Sequence, residues 1–203
     1  MLNRFRDFWT QVVSPVATLF LRLGISPDAV TIVGTLGVAF GALWFFPRGD
    51  LFVGVLVITV FVFSDLVDGH MARLSGTSSS WGAFLDSTLD RFGDAAIFGG
   101  LLLFFVGPGG SDPLAALALY CLVMGSVTSY ARARAESLGM EAKGGLAERA
   151  DRLAAILVMT GLADLFDLPV LITLTLWMLA IASTITVVQR MLQVRRQALS
   201  APG

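Results

Sequence analysis

Long apolar runs recur along this chain of 203 residues, and they limit its fold more than any other feature. The runs at 51–63 and 95–106 contain no charged side chain at all. A helix needs roughly 20 mostly apolar residues to cross a bilayer, and the runs with their flanks reach that length. Charged residues make up only 14% of the chain, whereas soluble domains carry about 25%. The sequence therefore predicts an all-α integral membrane protein.

Six transmembrane helices can be placed between turn and loop signals. We expect them at about 28–46, 51–73, 81–106, 113–138, 148–162 and 169–194. The first begins at Ser26-Pro27-Asp28, which combines an N-cap residue, a first-position proline and a first-turn acid. Residues 1–24 mix arginine with aromatic residues, which is typical of an amphipathic helix in the membrane interface. The predicted organisation is this interfacial helix, a membrane domain at 25–196 and a tail at 197–203.

The basic residues predict the orientation of these helices. If both termini and the loops after the second and fourth helices share one side, only Arg48 of the 14 Lys and Arg residues lies opposite. Cytoplasmic loops carry the excess of basic residues in membrane proteins. We therefore expect a multi-pass protein of the cell membrane with both termini in the cytoplasm. Nothing in the sequence indicates a nucleic acid partner.

Four aspartates interrupt the apolar pattern at the same cytoplasmic ends. Asp65 and Asp68 share a face of the second helix, and Asp86 and Asp90 share a face of the third. Because the linker at 75–80 is short, we expect these helices to be antiparallel neighbours with converging carboxylates. Ionised aspartates at membrane depth cost about 2.5–3.5 kcal/mol each, and either protonation or bound cations would offset that. Oxygen-only ligands suit two hard divalent ions, for which Mg²⁺ is our first choice and Mn²⁺ or Ca²⁺ the alternatives.

The spacing of these residues resembles the signature of the CDP-alcohol phosphotransferases. Every signature position is filled, as shown by Asp65, Asp68, Gly69, Ala72, Arg73, Gly82, Asp86 and Asp90. The resemblance implies that the four aspartates bind two metals and that Asp90 also acts as general base. It further implies that the CDP-diacylglycerol donor contacts Gly69 and Arg73, the segment Asp28-Ala29-Val30-Thr31, and Ser79. A homodimer is also implied.

Arginines at the cytoplasmic helix ends bear on the acceptor alcohol. A cluster of them suits a phosphate better than a neutral alcohol. The segments 129–136 and 148–152 resemble the branch of the family whose acceptor is inositol phosphate. The resemblance implies inositol 3-phosphate as the acceptor, with its phosphate bound by Arg134, Arg152 and Arg190. The alternatives are glycerol 3-phosphate, which would give phosphatidylglycerol phosphate, and serine or another alcohol.

Other classes of function fit the sequence less well. A membrane transporter also carries intramembrane carboxylates, but it would place them near the midplane with broken helices or repeats. A structural protein would not need four convergent acids. We interpret Asp94 as a salt-bridge partner of a cytoplasmic arginine, His70 as a bystander and Cys121 as a buried packing residue.

Overall fold

The computed structural model describes residues 14–76 and 79–200, apart from the side chains of residues 65 and 66. These residues form helices joined by turns and loops, and none of them forms a β-strand. The helices are α1 (described from residue 14 to 22), α2 (Pro27–Phe40), α3 (Leu51–Val62), α4 (Ser64–Ser75), α5 (Ser80–Val106), α6 (Asp112–Ser137), α7 (Arg149–Leu165) and α8 (Val170–Ser200). A π-helical turn (Gly41–Phe45) and a 3-10 turn (Phe46–Arg48) extend α2. The predicted all-α class is confirmed.

Four helical segments of the described chain are long and apolar enough to cross a membrane. They are Pro27–Arg48, Leu51–Ser75, Asp112–Ser137 and Val170–Ser200. The chain is thus a membrane-integral protein. Helix α5 has 27 residues but carries several charged groups in its first half, and α7 has only 17 residues. The interfacial helix predicted at 1–24 lies largely outside the described residues, of which 14–22 are helical.

The second predicted span is divided into α3 and α4 at Phe63. Phe63 has φ −65° and ψ −15°, and the Ser64 hydroxyl donates to the Phe61 carbonyl at 2.6 Å. A serine hydroxyl bound to a nearby carbonyl competes with the helix ladder and bends the helix. The break lies immediately before the first aspartate pair.

Helix α2 packs against both helices that carry the aspartates. The described residues of α4 and α5 make few direct backbone contacts with each other, while each packs extensively on α2. We expected these two helices to be direct neighbours, but in the described residues they meet mainly through α2. Thr31 of α2 contacts Asp68 of α4.

Small residues allow α2 to approach its neighbours closely. A Cβ atom on Gly37 would lie 2.2 Å from the Phe61 ring, and one on Gly41 would lie 2.8 Å from Ile58 Cγ1. Glycines at such positions bring helix backbones together in membranes. The apolar core continues through α5, α6, α7 and α8 and includes Cys121, which is buried as expected.

Helix α8 extends to Ser200, beyond the predicted end of the last span near residue 194. Gln197 explains the extension, because its side chain bonds both backbone groups of Glu141 in the α6–α7 loop, at 2.6 and 2.9 Å. Residues 197–200, expected in a tail, are therefore helical.

Candidate active site

The amino-terminal end of α2 forms one wall of a cavity of about 560 Å³. The Ser26 hydroxyl accepts a hydrogen bond from the Ala29 amide at 3.2 Å, which fixes the helix start that the sequence predicted. Asp28 accepts a hydrogen bond from the Trp81 indole at 3.0 Å. This bond ties the start of α2 to the start of α5.

Most of the predicted donor-site residues line this first cavity. Its lining comprises Ser26, Pro27, Asp28, Thr31, Asp68, Gly69, Ala72, Arg73, Ser79, Gly82, Ala83, Asp86, Asp90 and Arg149. Of the predicted segment at 28–31, Asp28 and Thr31 reach the cavity. Val30 instead is buried against Ala17, and Ala29 is absent from the lining.

Two glycines leave backbone open toward the cavity. The atom nearest to a Cβ on Gly69 would be Arg73 Nη1 at 3.7 Å, and the nearest to one on Gly82 would be Ser79 Oγ at 3.5 Å. Ser79 caps α5 by accepting from the Gly82 amide at 3.1 Å. A ligand can therefore approach main chain at both positions, as was expected for Gly69.

Asp68 is the most buried of the cavity aspartates, with 7% of its surface exposed. Its Oδ2 atom lies 2.6 Å from the Thr31 hydroxyl, which donates to it. Carboxylates that bind metals are commonly held by such hydrogen bonds from neighbouring groups. Thr31 thus fixes the orientation of Asp68 from the adjacent helix.

The acidic side chains that line this cavity have the chemistry of a site for hard divalent ions. Asp68, Asp86 and Asp90 contribute only carboxylate oxygens to the lining, which suits Mg²⁺ or Mn²⁺. Within the described side chains no three acidic, histidine or cysteine groups form a metal cluster by themselves. The fourth predicted ligand, Asp65, has its side chain outside the described set.

His70 is absent from the lining and contacts Ser14 Oγ at 3.1 Å, so it is a bystander to this cavity.

A network of ion pairs connects α5 with α7 beside the cavity. Arg149 places Nη1 2.8 Å from Asp90 Oδ1 and Nε 3.0 Å from Asp94 Oδ1. Arg91 lies 3.2 Å from the second oxygen of Asp94 and also donates to Ser129 Oγ. The interpretation of Asp94 as a salt-bridge partner is confirmed.

A second cavity of about 780 Å³ adjoins the first. Its lining comprises Ala83, Ser87, Asp90, Arg91, Ser126, Thr128, Ser129, Tyr130, Arg132, Ala133, Glu136, Glu148, Arg149, Ala150, Arg152 and Arg190. Ala83, Asp90 and Arg149 are common to both cavities. A group bound among the arginines therefore lies next to the acidic cavity.

Two arginines of the second cavity are held by main-chain carbonyls. Arg190 donates to Thr128 O at 2.6 Å and to Gly144 O at 3.2 and 3.3 Å. Arg152 donates to Ala147 O at 3.0 Å, and Gly125 leaves the space that its guanidinium occupies. Arg152 is 2% exposed and Arg190 is 4% exposed. Their positions are therefore fixed before any anion binds.

Similar proteins share both the sequence and the fold. Residues 24–188 match the CDP-alcohol phosphatidyltransferase family. A phosphatidylinositol phosphate synthase of Streptomyces avermitilis is 51% identical over 99% of this chain and 85% of its own length. The enzyme of that name from Cutibacterium acnes is 52% identical over 97% of this chain and 98% of its own.

The chain belongs to the CDP-alcohol phosphatidyltransferase family.

Solved structures of a family member extend the similarity to three dimensions. The Mycobacterium tuberculosis phosphatidylinositol phosphate synthase with CDP-DAG bound superimposes with a TM-score of 0.88 at 42% identity, covering 95% of this chain and 96% of that one. A second structure of that enzyme, in complex with manganese and citrate, gives a TM-score of 0.85 and covers 94% and 90%.

Within this CDP-alcohol phosphatidyltransferase, the structure does not place all three predicted acceptor residues together. Arg152 and Arg190 line the second cavity. Arg134 is not part of that lining and donates to Ser137 Oγ at 3.3 Å. Arg132 of the same helix lines the cavity and pairs with Glu136 at 3.0 Å. Two residues along a helix differ by about 200° in direction, which explains why only one faces the cavity.

Arg149 is the site residue that the sequence-based prediction missed. It is the first residue of α7. From the sequence, an arginine there is typical of the basic residues found at cytoplasmic helix ends. Its alignment with Asp90 and Asp94 depends on how α7 is rotated against α5. The sequence signal was its spacing of three residues from Arg152, which places both on one helix face.

Proposed function

We propose that this protein transfers the phosphatidyl group of CDP-diacylglycerol to an inositol phosphate, inositol 3-phosphate, producing phosphatidylinositol phosphate and CMP. One observation carries the proposal: an acidic cavity and an arginine-lined cavity meet at Asp90. The names of the relatives and the CDP-DAG and manganese bound to the Mycobacterium tuberculosis enzyme support it.

The residues of the first cavity bind the donor. Arg73 neutralises the pyrophosphate of CDP-diacylglycerol, and the open backbone at Gly69 and Gly82 admits the nucleotide. Asp65, Asp68, Asp86 and Asp90 hold two divalent ions, Mg²⁺ or Mn²⁺. These ions, when bound, neutralise charge that develops on the phosphoryl oxygens and on the leaving CMP.

The reaction takes place where the two cavities join. The acceptor hydroxyl transfers its proton to Asp90 as its oxygen forms a bond to the lipid-side phosphorus, and the bond from that phosphorus to the CMP oxygen breaks. The acceptor's own phosphate binds Arg152 and Arg190 in the second cavity. Catalysis of this kind depends mostly on positioning and electrostatics.

The activity test uses purified protein in detergent with CDP-diacylglycerol and magnesium. We expect CMP release with inositol 3-phosphate, loss of it in Asp90→Asn and in Asp86→Asn, and retention in Asp50→Asn. Asp50 is an exposed acid at the start of α3 whose side chain makes no capping bond, so it controls for the loss of one charge. Full activity of Asp90→Asn would contradict the proposed base.

The acceptor test compares inositol 3-phosphate with glycerol 3-phosphate on one sample. We expect a higher kcat/KM for inositol 3-phosphate. A preference for glycerol 3-phosphate would instead make the protein a phosphatidylglycerol phosphate synthase, and a preference for serine would contradict a phosphorylated acceptor altogether.

We also propose that six helical segments cross the membrane, with an interfacial helix before them and both termini and the active site in the cytoplasm. The positions of the basic residues support this orientation. In a Cys121→Ser background, Ser111→Cys should react with an impermeant maleimide in intact cells, and Lys143→Cys only after permeabilisation. The reverse pattern would contradict the orientation. The homodimer stays a prediction that crosslinking in native membranes checks.

A further inference from the structure

Arg149 occupies the boundary between the two cavities. It is the one cation in the lining of both within the part of the chain that the structure describes. Arg73 lines only the first cavity, and Arg91, Arg132, Arg152 and Arg190 line only the second. Its side chain keeps 29% of its surface exposed, so it is partly open to whatever binds there.

The guanidinium of Arg149 uses separate donors for two acids on the same face of α5. Nη1 lies 2.8 Å from Asp90 Oδ1, and Nε lies 3.0 Å from Asp94 Oδ1. A planar guanidinium with two separate donors fixes the direction of its contacts with both carboxylates. A lysine ammonium supplies the charge but not that direction.

The carboxylate of Asp94 is itself held in position. Its side chain is 7% exposed, and it also lies 3.2 Å from Arg91 and 4.0 Å from Arg152. Because three arginines surround it, Asp94 holds the Nε side of Arg149 in one place. The opposite side of the same guanidinium makes the shorter of the two ion pairs of Asp90, 2.8 Å to Oδ1, while Arg91 Nη2 lies 3.8 Å from Oδ2.

We propose that Arg149, anchored by Asp94, is a positioning residue that aims Asp90 at the junction where the acceptor hydroxyl meets the donor phosphorus. This inference rests on the proposed function and deepens it. It assigns to the ion-pair network a task that neither the aspartate motif nor the acceptor arginines supply.

Arg149→Lys and Asp94→Asn test the proposal, with Arg48→Lys as the control. A lysine keeps the positive charge but reaches only one of the two acids. Arg48 stacks on Trp44, 3.9 Å from the ring centroid, and lines neither cavity. We expect Arg149→Lys and Asp94→Asn each to lower kcat about 10- to 100-fold, as expected for a misaligned catalytic group. The KM values for both substrates and the melting temperature should change little, and Arg48→Lys should match the wild type.

Two further measurements separate positioning from a structural role. The double variant Asp94→Asn/Arg149→Lys should be no slower than the slower single variant, because the two residues act as one unit. CMP binding in the presence of Mn²⁺, measured by calorimetry, should be the same in Arg149→Lys and the wild type. The inference is overturned if the single effects multiply, if CMP affinity falls in parallel with kcat, or if kcat is unchanged.

Failure of the inference and failure of the proposed function give different results. If the wild type releases no CMP with any phosphorylated alcohol, the proposed function is wrong. If the wild type is active and Arg149→Lys equals it in kcat, only the role of Arg149 is wrong.

Discussion

The hydrogen bond between Thr31 and Asp68 makes a sharp test of how the metal site is organised. Replacing Thr31 by valine keeps the shape of the side chain and changes helix propensity little, but it removes the hydroxyl. That hydroxyl has one proton and two acceptors within reach, Asp68 Oδ2 at 2.6 Å and Pro27 O at 3.1 Å. The proton goes to the carboxylate, because the bond is shorter and its acceptor is charged.

The expected magnitude follows from the charge and burial of this pair. A hydrogen bond to a charged group contributes about 1.5–3 kcal/mol, and loss of a donor is more costly where the acceptor is buried. Since about 1.4 kcal/mol corresponds to a factor of ten, Thr31→Val should weaken metal binding roughly 10- to 150-fold. Groups that orient metal ligands typically account for 10- to 100-fold in affinity or activity, which agrees.

The assay measures CMP release against manganese concentration, and Mn²⁺ binding by electron paramagnetic resonance. Thr175→Val is the matched control, because Thr175 is also buried in a helix and its hydroxyl donates to Leu171 O at 2.7 Å. We expect Thr31→Val to shift half-saturation to higher Mn²⁺ and Thr175→Val to leave it unchanged. An unchanged or tighter Mn²⁺ affinity in Thr31→Val would refute the view that Thr31 orients a metal ligand.

Three other predictions concern the acceptor site, the packing and the metal. Gly125→Ala puts a Cβ 3.3 Å from Arg152 Nε, so we expect a several-fold higher KM for inositol phosphate and no change for CDP-diacylglycerol; an unchanged acceptor KM would contradict this. Gly37→Ala puts a Cβ 2.2 Å from the Phe61 ring and should lower stability by about 1–3 kcal/mol in thermal unfolding. Gly99→Ala, in open space, is the control for both and should keep or raise stability. Removing divalent ions with EDTA should abolish CMP release, and added Mg²⁺ or Mn²⁺ should restore it; release in chelator would exclude metal catalysis.

Features encoded locally could be predicted from the sequence. Ser26 and Pro27 start α2 through a cap and a fixed backbone angle, and α5 begins within a residue of the predicted position. The spacing of aspartates and glycines that resembles the family signature predicted a donor site, and most of its residues line one cavity.

Features that depend on how helices are rotated against each other could not be predicted. Helix α2 packs on both α4 and α5, and a short linker between those two helices does not reveal this. The choice of Arg132 over Arg134 for the second cavity depends on the rotation of α6. The pairing of Arg149 with Asp90 likewise exists only after α7 packs near α5, since 59 positions separate the two residues.

The carbonyls that accept hydrogen bonds from Arg152 and Arg190 bear on which substitutions the α6–α7 loop tolerates. Both acceptors in the α6–α7 loop, Gly144 O and Ala147 O, are main-chain atoms, and every residue type supplies one. Gly145, between them, has φ +138° and no space for a side chain against Thr186. Substitutions at exposed neighbours such as Lys143 should therefore leave both guanidinium groups undisturbed, whereas a change at Gly145 should displace the loop. The exposed positions of this loop can therefore diverge as long as its path is kept.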